Sequence, residues 1–185
     1  MFIRSERLFL RPGWPEDWRQ LHAGIAEEAI VRNLARVPWP YTPEHAQDYA
    51  GKPQDPRAPH FFVTLPANGE IVGSVGLGAK EDGGVELGYW IARPHWGRGY
   101  APEAGRAVLR LARVLGHERV VAGHFVDNPA SGRVLAKIGF RPTGQVRRRF
   151  SLARGHEVDS IEYAIELGSS CDCDGEDRVP TRMAA

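Results

Sequence analysis

"WGRGYAPEAG", Trp96–Gly105, places three glycines, two of them flanking Arg98, between a stretch that reads as a strand and one that reads as a helix. Such a turn exposes successive backbone N–H groups beside the positive end of a helix dipole, which makes a seat for phosphate. Gly97 and Gly99 carry no side chain that would hold an anion away. A plain tight turn explains many G-x-G stretches equally well, so the neighbours decide. Upstream, "GVELGYWIA" (84–92) alternates as a strand, and downstream a helix runs from about Pro102 to Leu115. A second glycine run, "GSVGLG" (73–78), spells a phosphate-loop-like pattern, but the "AKEDGGVE" after it is a turn and a strand. Without a helix there is no dipole, and that run reads as a strand with glycines.

Working outward, "RLFLRP" (7–12) predicts an opening strand and "PEDWRQLHAGI" (15–25) a helix. Residues 31–60 are rich in proline and hold one short helical candidate, "PEHAQDYA", within a long excursion. "HFFVTL" (60–65) and "EIVGSVGLGA" (70–79) form a hairpin closed at Asn68-Gly69, and residues 84–92 add a third strand of an antiparallel meander. Beyond the turn come the helix 102–115, a strand "ERVVAGHFV" (118–126), a helix "PASGRVLAKI" (129–138), and strands near 140–147 and 157–167. The order is α/β of the α+β kind: antiparallel strands first, then a β-α-β-α-β half. Residues 1–167 read as one domain and residues 168–185 as a disordered acidic tail.

Composition narrows the function classes. The 185 residues, 42% hydrophobic and 25% charged, suit one core of ordinary size. No run approaches a membrane span or a signal peptide, which predicts a cytoplasmic protein. A net charge of +1 gives no global reason to expect nucleic acid or an anionic membrane. Four acids in the tail against two arginines leave +3 on residues 1–167. The only cysteines, Cys171 and Cys173, lie in that tail, so a disulfide framework is not expected. Seven histidines are scattered without ligand spacing, so no metal is assigned.

Four stretches together resemble the GCN5-related N-acetyltransferases, and within them the RimJ/RimL-like branch of ribosomal-protein alanine acetyltransferases: "SERLFLRPGWPEDWRQL", "WPYTPEHAQDYA", "ELGYWIARPHWGRGYAPEA" and "NPASGRVLAKIGF". They are spread over roughly residues 5–167. The resemblance implies a single domain whose mixed, mostly antiparallel sheet, flanked by helices, splays at the acetyl-CoA site. Pantetheine then threads the gap near Ile91 and Ala92, with Asn128 as a hydrogen-bond partner. The pyrophosphate rests on the amides from Trp96 through Gly97, Arg98, Gly99 and Tyr100 to Ala101. One departure stands out: the superfamily's Gln/Arg-x-x-Gly-x-Gly/Ala pattern begins here at Pro94, which has no N–H to donate, with Arg93 one residue early.

Attack of an amine on a thioester needs a proton acceptor, a seat for the oxyanion, and a group that protonates the leaving thiolate. The resemblance assigns the oxyanion to backbone near Ile91. Glu86 is the best carboxylate for a base, since alternation puts Glu86, Gly88 and Trp90 on one face of the strand, though it also reads as an exposed strand carboxylate. For the acid the resemblance points to Ser131; no tyrosine occurs between Tyr100 and Tyr163. Asn128 before Pro129 is equally a good helix N-cap, with Ser131 in the first turn. No cysteine precedes the tail, which favours direct transfer in a ternary complex over an acyl-enzyme. The acceptor is a protein N-terminus or a small amine, with a homodimer left open; a CoA-binding sensor and an interaction module are the competing readings.

Three further features have two readings each. "RRR" (147–149), with Arg141 and Arg154, concentrates charge around the connection between the last strands and reads as a solvated loop or as a seat for an acidic peptide or the coenzyme's 3′-phosphate. "CDCDGED" (171–177) lacks the flanking helices of a calcium loop. Trp14, Trp18, Trp39 and Tyr41 are divided between core packing and a substrate groove.

Overall fold

Alternation of apolar residues in 60–91 builds the centre of the molecule. In the computed structural model, which describes residues 1–81 and 83–168, Phe61 and Val63 face one side of the sheet and Phe62 the other. The tail, apart from Gly168, lies outside the described residues, and with it the expected disorder and the "CDCDGED" stretch. The chain runs β1 (Ile3–Arg4), β2 (Phe9–Arg11), α1 (Trp18–Ile25), α2 (Glu28–Val31), α3 (Pro43–Ala50), β3 (His60–Thr64), β4 (Ile71–Ala79), β5 (Val85–Ile91), α4 (Tyr100–Val114), β6 (Arg119–Phe125), α5 (Pro129–Lys137), β7 (Arg141–Ser151) and β8 (His156–Glu166). Among the described residues no helix is long and apolar enough to cross a membrane.

The eight strands form one sheet in the order β1-β2-β3-β4-β5-β6-β8-β7. β5 and β6 are the parallel pair, joined through α4 as a parallel crossover requires, and the other pairs are antiparallel. The expected meander is β3-β4-β5, and its first hairpin closes at Gly69 in the left-handed region. "GSVGLG" is indeed strand, and Gly73 has a packing reason: a Cβ there would stand 2.3 Å from the Trp90 carbonyl oxygen.

Two apolar layers sandwich the sheet. One lies under α4 and α5 and holds Leu8, Leu10, Phe61, Val75, Leu87, Val108 and Leu135. The other lies under α1–α3 and holds Leu21, Ile25, Val31, Phe62, Ile71 and Trp90. Each fully buried large side chain contributes about 1.5–3 kcal/mol.

Two expectations need correction. β7 is longer than read, reaching Ser151 instead of residue 147, and "RRR" sits on it, paired with β8 at Ser160, Asp159 and Val158, instead of in a connecting loop. β7 is the sheet's outer strand and mostly exposed, so it lacks the apolar alternation that marks a half-buried strand.

Candidate active site

The sheet opens where the sequence placed its decisive turn. β5 and β6 pair only at Val85/Val120 and Glu86/Val121, and beyond those rungs the two strands part. The register with β4, together with the Ala92 N–H donating to the Val72 carbonyl at 2.9 Å, turns the backbone groups of Tyr89 and Ile91 away from β4. Their N–H groups therefore point into the gap.

At the mouth of the gap, Gly97 (φ 75°) and Gly99 (φ 78°) occupy the left-handed region that favours glycine, and Gly99 caps α4. A Cβ on Gly97 would meet nothing within 4 Å, so the turn faces open space. The N–H groups of Gly97, Arg98, Gly99, Tyr100 and Ala101 find no acceptor among the described residues. Trp96 does not belong with them. Its N–H donates to the Arg93 carbonyl at 3.1 Å and its indole to the Ile91 carbonyl at 2.6 Å, which makes it a strut across the turn. Arg93 is turned to Glu27 at 3.6 Å, and Ala92 spends its N–H on β4.

The connection between β1 and β2 holds this turn from behind. Arg7 donates to the Arg98 carbonyl at 3.0 Å, clasps Glu103 of α4 at 2.8 and 2.7 Å, and lies over the Tyr100 ring at 5.1 Å. Ser5 and the Arg7 N–H add bonds of 2.8 and 2.7 Å to Glu103. Burial opposes the charge on Glu103, but these donors outweigh it and hold its carboxyl below the usual value.

On the far side of the gap, Asn128 caps α5 and accepts the Ser131 N–H at 3.3 Å, with Pro129 in the first turn. The Ser131 hydroxyl lies 2.7 Å from the Tyr89 hydroxyl, which also donates to the Ser131 carbonyl at 3.2 Å. Burial pushes the Tyr89 phenol up to about 12, partly offset by Ser131, so it keeps its proton at neutral pH. Sequence reasoning missed this tyrosine. It searched between Tyr100 and Tyr163, whereas the partner sits 42 residues upstream on β5, and the strand's alternation gives its face without its neighbour.

The glycine turn, the gap between the strands and the Tyr89–Ser131 pair line one cleft of about 1350 Å³ that runs to α2 and α3. At that second end Glu86 projects from β5 with both oxygens held by Arg149, at 2.5 and 2.7 Å, and Arg36 stands 4.0 Å away. The other two arginines of "RRR" reach carboxylates as well, Arg147 to Glu162 and Arg148 to Glu157. Of the four aromatics, Tyr41 lines the cleft. Trp18 packs against the α1–α3 core, while Trp14, under Arg11, and Trp39 are largely exposed.

The chain's relatives share this fold. A family model described as an acetyltransferase (GNAT) domain matches residues 7–141. The uncharacterized N-acetyltransferase YoaA of Bacillus subtilis (strain 168) is 28% identical over 171 residues, covering 88% of this chain and 95% of that protein. Among solved structures, a GNAT-family acetyltransferase of Bacillus anthracis superposes with a TM-score of 0.79 at 25% identity, over 90% of this chain and 99% of that one. The spermidine N-acetyltransferase of Vibrio cholerae, in complex with CoA and spermine, does so with a TM-score of 0.73 at 21% identity, over 87% and 96%.

Proposed function

The chain belongs to the acetyltransferase (GNAT) family, and on that premise we propose that it moves an acetyl group from acetyl-CoA to a primary amine by direct attack in a ternary complex. The observation that carries this reading is the continuous cleft. It joins a turn of unpaired amides, a gap lined by strand N–H groups, and a half-buried pair of hydroxyls. These are the three things a pyrophosphate, a pantetheine arm and a departing thiolate require.

In this reading the N–H groups of residues 97–101 hold the pyrophosphate at the positive end of α4. Arg133 and Lys137, one turn apart on α5, line the same cleft and add positive charge for the coenzyme's phosphates. The Ile91 N–H, directed into the gap, donates to the thioester carbonyl as it becomes an oxyanion. Ser131 gives its proton to the leaving sulfur, the proton shed by the attacking amine replaces it at the Ser131 oxygen, and Tyr89 keeps its own proton and holds Ser131 in place by hydrogen bonding. Asn128 acts by capping α5 and so fixing where Ser131 points.

Glu86 has a different use from the base that alternation suggested. With both oxygens held by Arg149, it anchors Arg149 and Arg36 at the acceptor end. The α-amine of a peptide, whose ordinary pKa is about 8, keeps a substantial neutral minority at physiological pH that can attack without a dedicated base. This favours a protein N-terminus as acceptor, in line with the RimJ/RimL-like resemblance. The test is acetyl-CoA turnover against a panel of peptide N-termini and small amines. Acetylation of α-amines is expected, and tight acetyl-CoA binding with no amine acetylated would overturn the reading.

A further inference from the structure

We infer that the acceptor carries a carboxylate close to its amine, as in an acidic amino acid or a peptide with an acidic first residue, and is not a polyamine; this rests on the acetyltransferase reading above. Charge at the end of the cleft beyond the gap selects the acceptor. Two carboxylates there could greet a cationic chain, and both are balanced. Glu86 is held by Arg149 through both oxygens. Asp127 is held by Arg154 at 2.8 and 3.0 Å and by Arg32 at 3.2 Å. A third, Asp48, sits exposed on α3 at the rim.

Two cations at this end of the lining are poorly balanced. Arg36 has one contact with a carboxylate, the 4.0 Å approach to Glu86, and its side chain is 69% exposed. Lys52 has no carboxylate partner among the described residues. Burial, with Lys52 nearby, lowers His60, so at neutral pH the imidazole neither adds to nor cancels this charge.

The strand beneath leaves room for a ligand beside these groups. Gly88 shares a face with Glu86 and Trp90, is exposed to the cleft, and a Cβ built there would touch nothing within 4 Å. A polyamine entering here would bring several positive charges to a wall where two of the three carboxylates, Glu86 and Asp127, are already paired with arginines, and would desolvate Arg36 and Lys52 against like charge. A carboxylate a few bonds from the amine instead supplies what Arg36 lacks, a planar acceptor for two parallel N–H donors.

The experiment compares four acceptors at fixed acetyl-CoA: Asp-Ala-Ala-amide, its isostere Asn-Ala-Ala-amide, free L-aspartate and spermidine. The aspartyl peptide is expected to exceed the asparaginyl peptide in kcat/KM by about tenfold. That preference should shrink at about 1 M salt. Arg36→Glu should raise KM for the aspartyl peptide at least about tenfold more than for the asparaginyl one, and Lys52→Ala should do so more weakly. Comparison with L-aspartate tells whether free amino acids or peptides are the source of the carboxylate. Spermidine as the best acceptor, or the two peptides within about twofold, would overturn the inference and leave the acetyltransferase reading standing. If acetyl-CoA binds but no amine is acetylated, the activity reading fails. Calorimetry of the two peptides on the CoA-loaded protein then decides the inference separately: aspartyl preference sustains it, and equal or absent binding ends it.

Discussion

Replacing Ser131 with alanine tests the centre of the mechanism, because the structure predicts a large change in rate and a small one in stability. The substitution removes one hydroxyl from a pair whose oxygens lie 2.7 Å apart. The Tyr89 phenol keeps its bond to the backbone carbonyl of residue 131 at 3.2 Å, and Asn128 still caps the N–H of that residue. Alanine suits a helix, so folding should lose no more than about 1 kcal/mol. The effect on turnover is larger, since a donor to a developing thiolate contributes about 1.5–3 kcal/mol and a full proton transfer more. A fall in kcat of roughly ten- to a thousandfold follows, with acetyl-CoA affinity held. Tyr89→Phe should lower kcat by roughly five- to thirtyfold. If Tyr89 acts through Ser131, the double variant should be no slower than Ser131→Ala alone. The assay follows release of the CoA thiol with an amine acceptor from the panel, and calorimetry measures acetyl-CoA binding. Losses that multiply in the double variant would show that Tyr89 works independently. Two variants with wild-type kcat would refute both assignments and leave the rate to positioning and the oxyanion contact.

Gly99→Val forces a β-branched residue to φ near 78°, at a cost of about 1–2 kcal/mol or more, and should weaken acetyl-CoA binding; unchanged affinity would put the pyrophosphate elsewhere. Arg7→Ala frees the Arg98 carbonyl and Glu103, so KM for acetyl-CoA should rise about three- to tenfold while KM for the amine holds; equal rises in both would mean a general loss of structure. Glu103 has a carboxyl pKa lowered on folding, so its stabilisation is present above the unfolded value of about 4.3 and is lost as pH falls through the folded one. Melting curves between about pH 3 and 6 should therefore show a shallower acid limb in Glu103→Gln than in wild type, and an identical limb would sink the assignment. Glu86→Gln should lower turnover by a similar factor at every pH through a loosened Arg149, whereas recovery at high pH would restore Glu86 as the base.

What the sequence determined by itself rests on residues close together along the chain. Period-two alternation was enough for the β3-β4-β5 meander, and "WGRGYAPEAG" was enough for a left-handed glycine turn at the head of a helix. Asn128-Pro129 was enough for the start of α5. Each depends on local backbone preference or on which face a side chain takes, and both are written in short windows. A face is not a neighbour, however. That Tyr89 meets Ser131, that Glu86 is held by Arg149 63 residues away, and that Arg7 steadies the glycine turn through Glu103 96 residues away depend on strand order and register. The same holds for β8, which inserts between β6 and β7 and carries "RRR" onto a paired outer strand over the cleft. Such meetings are fixed only when the sheet closes its hydrogen bonds and buries both faces, because a pattern of period two is satisfied equally by many partners until packing selects one.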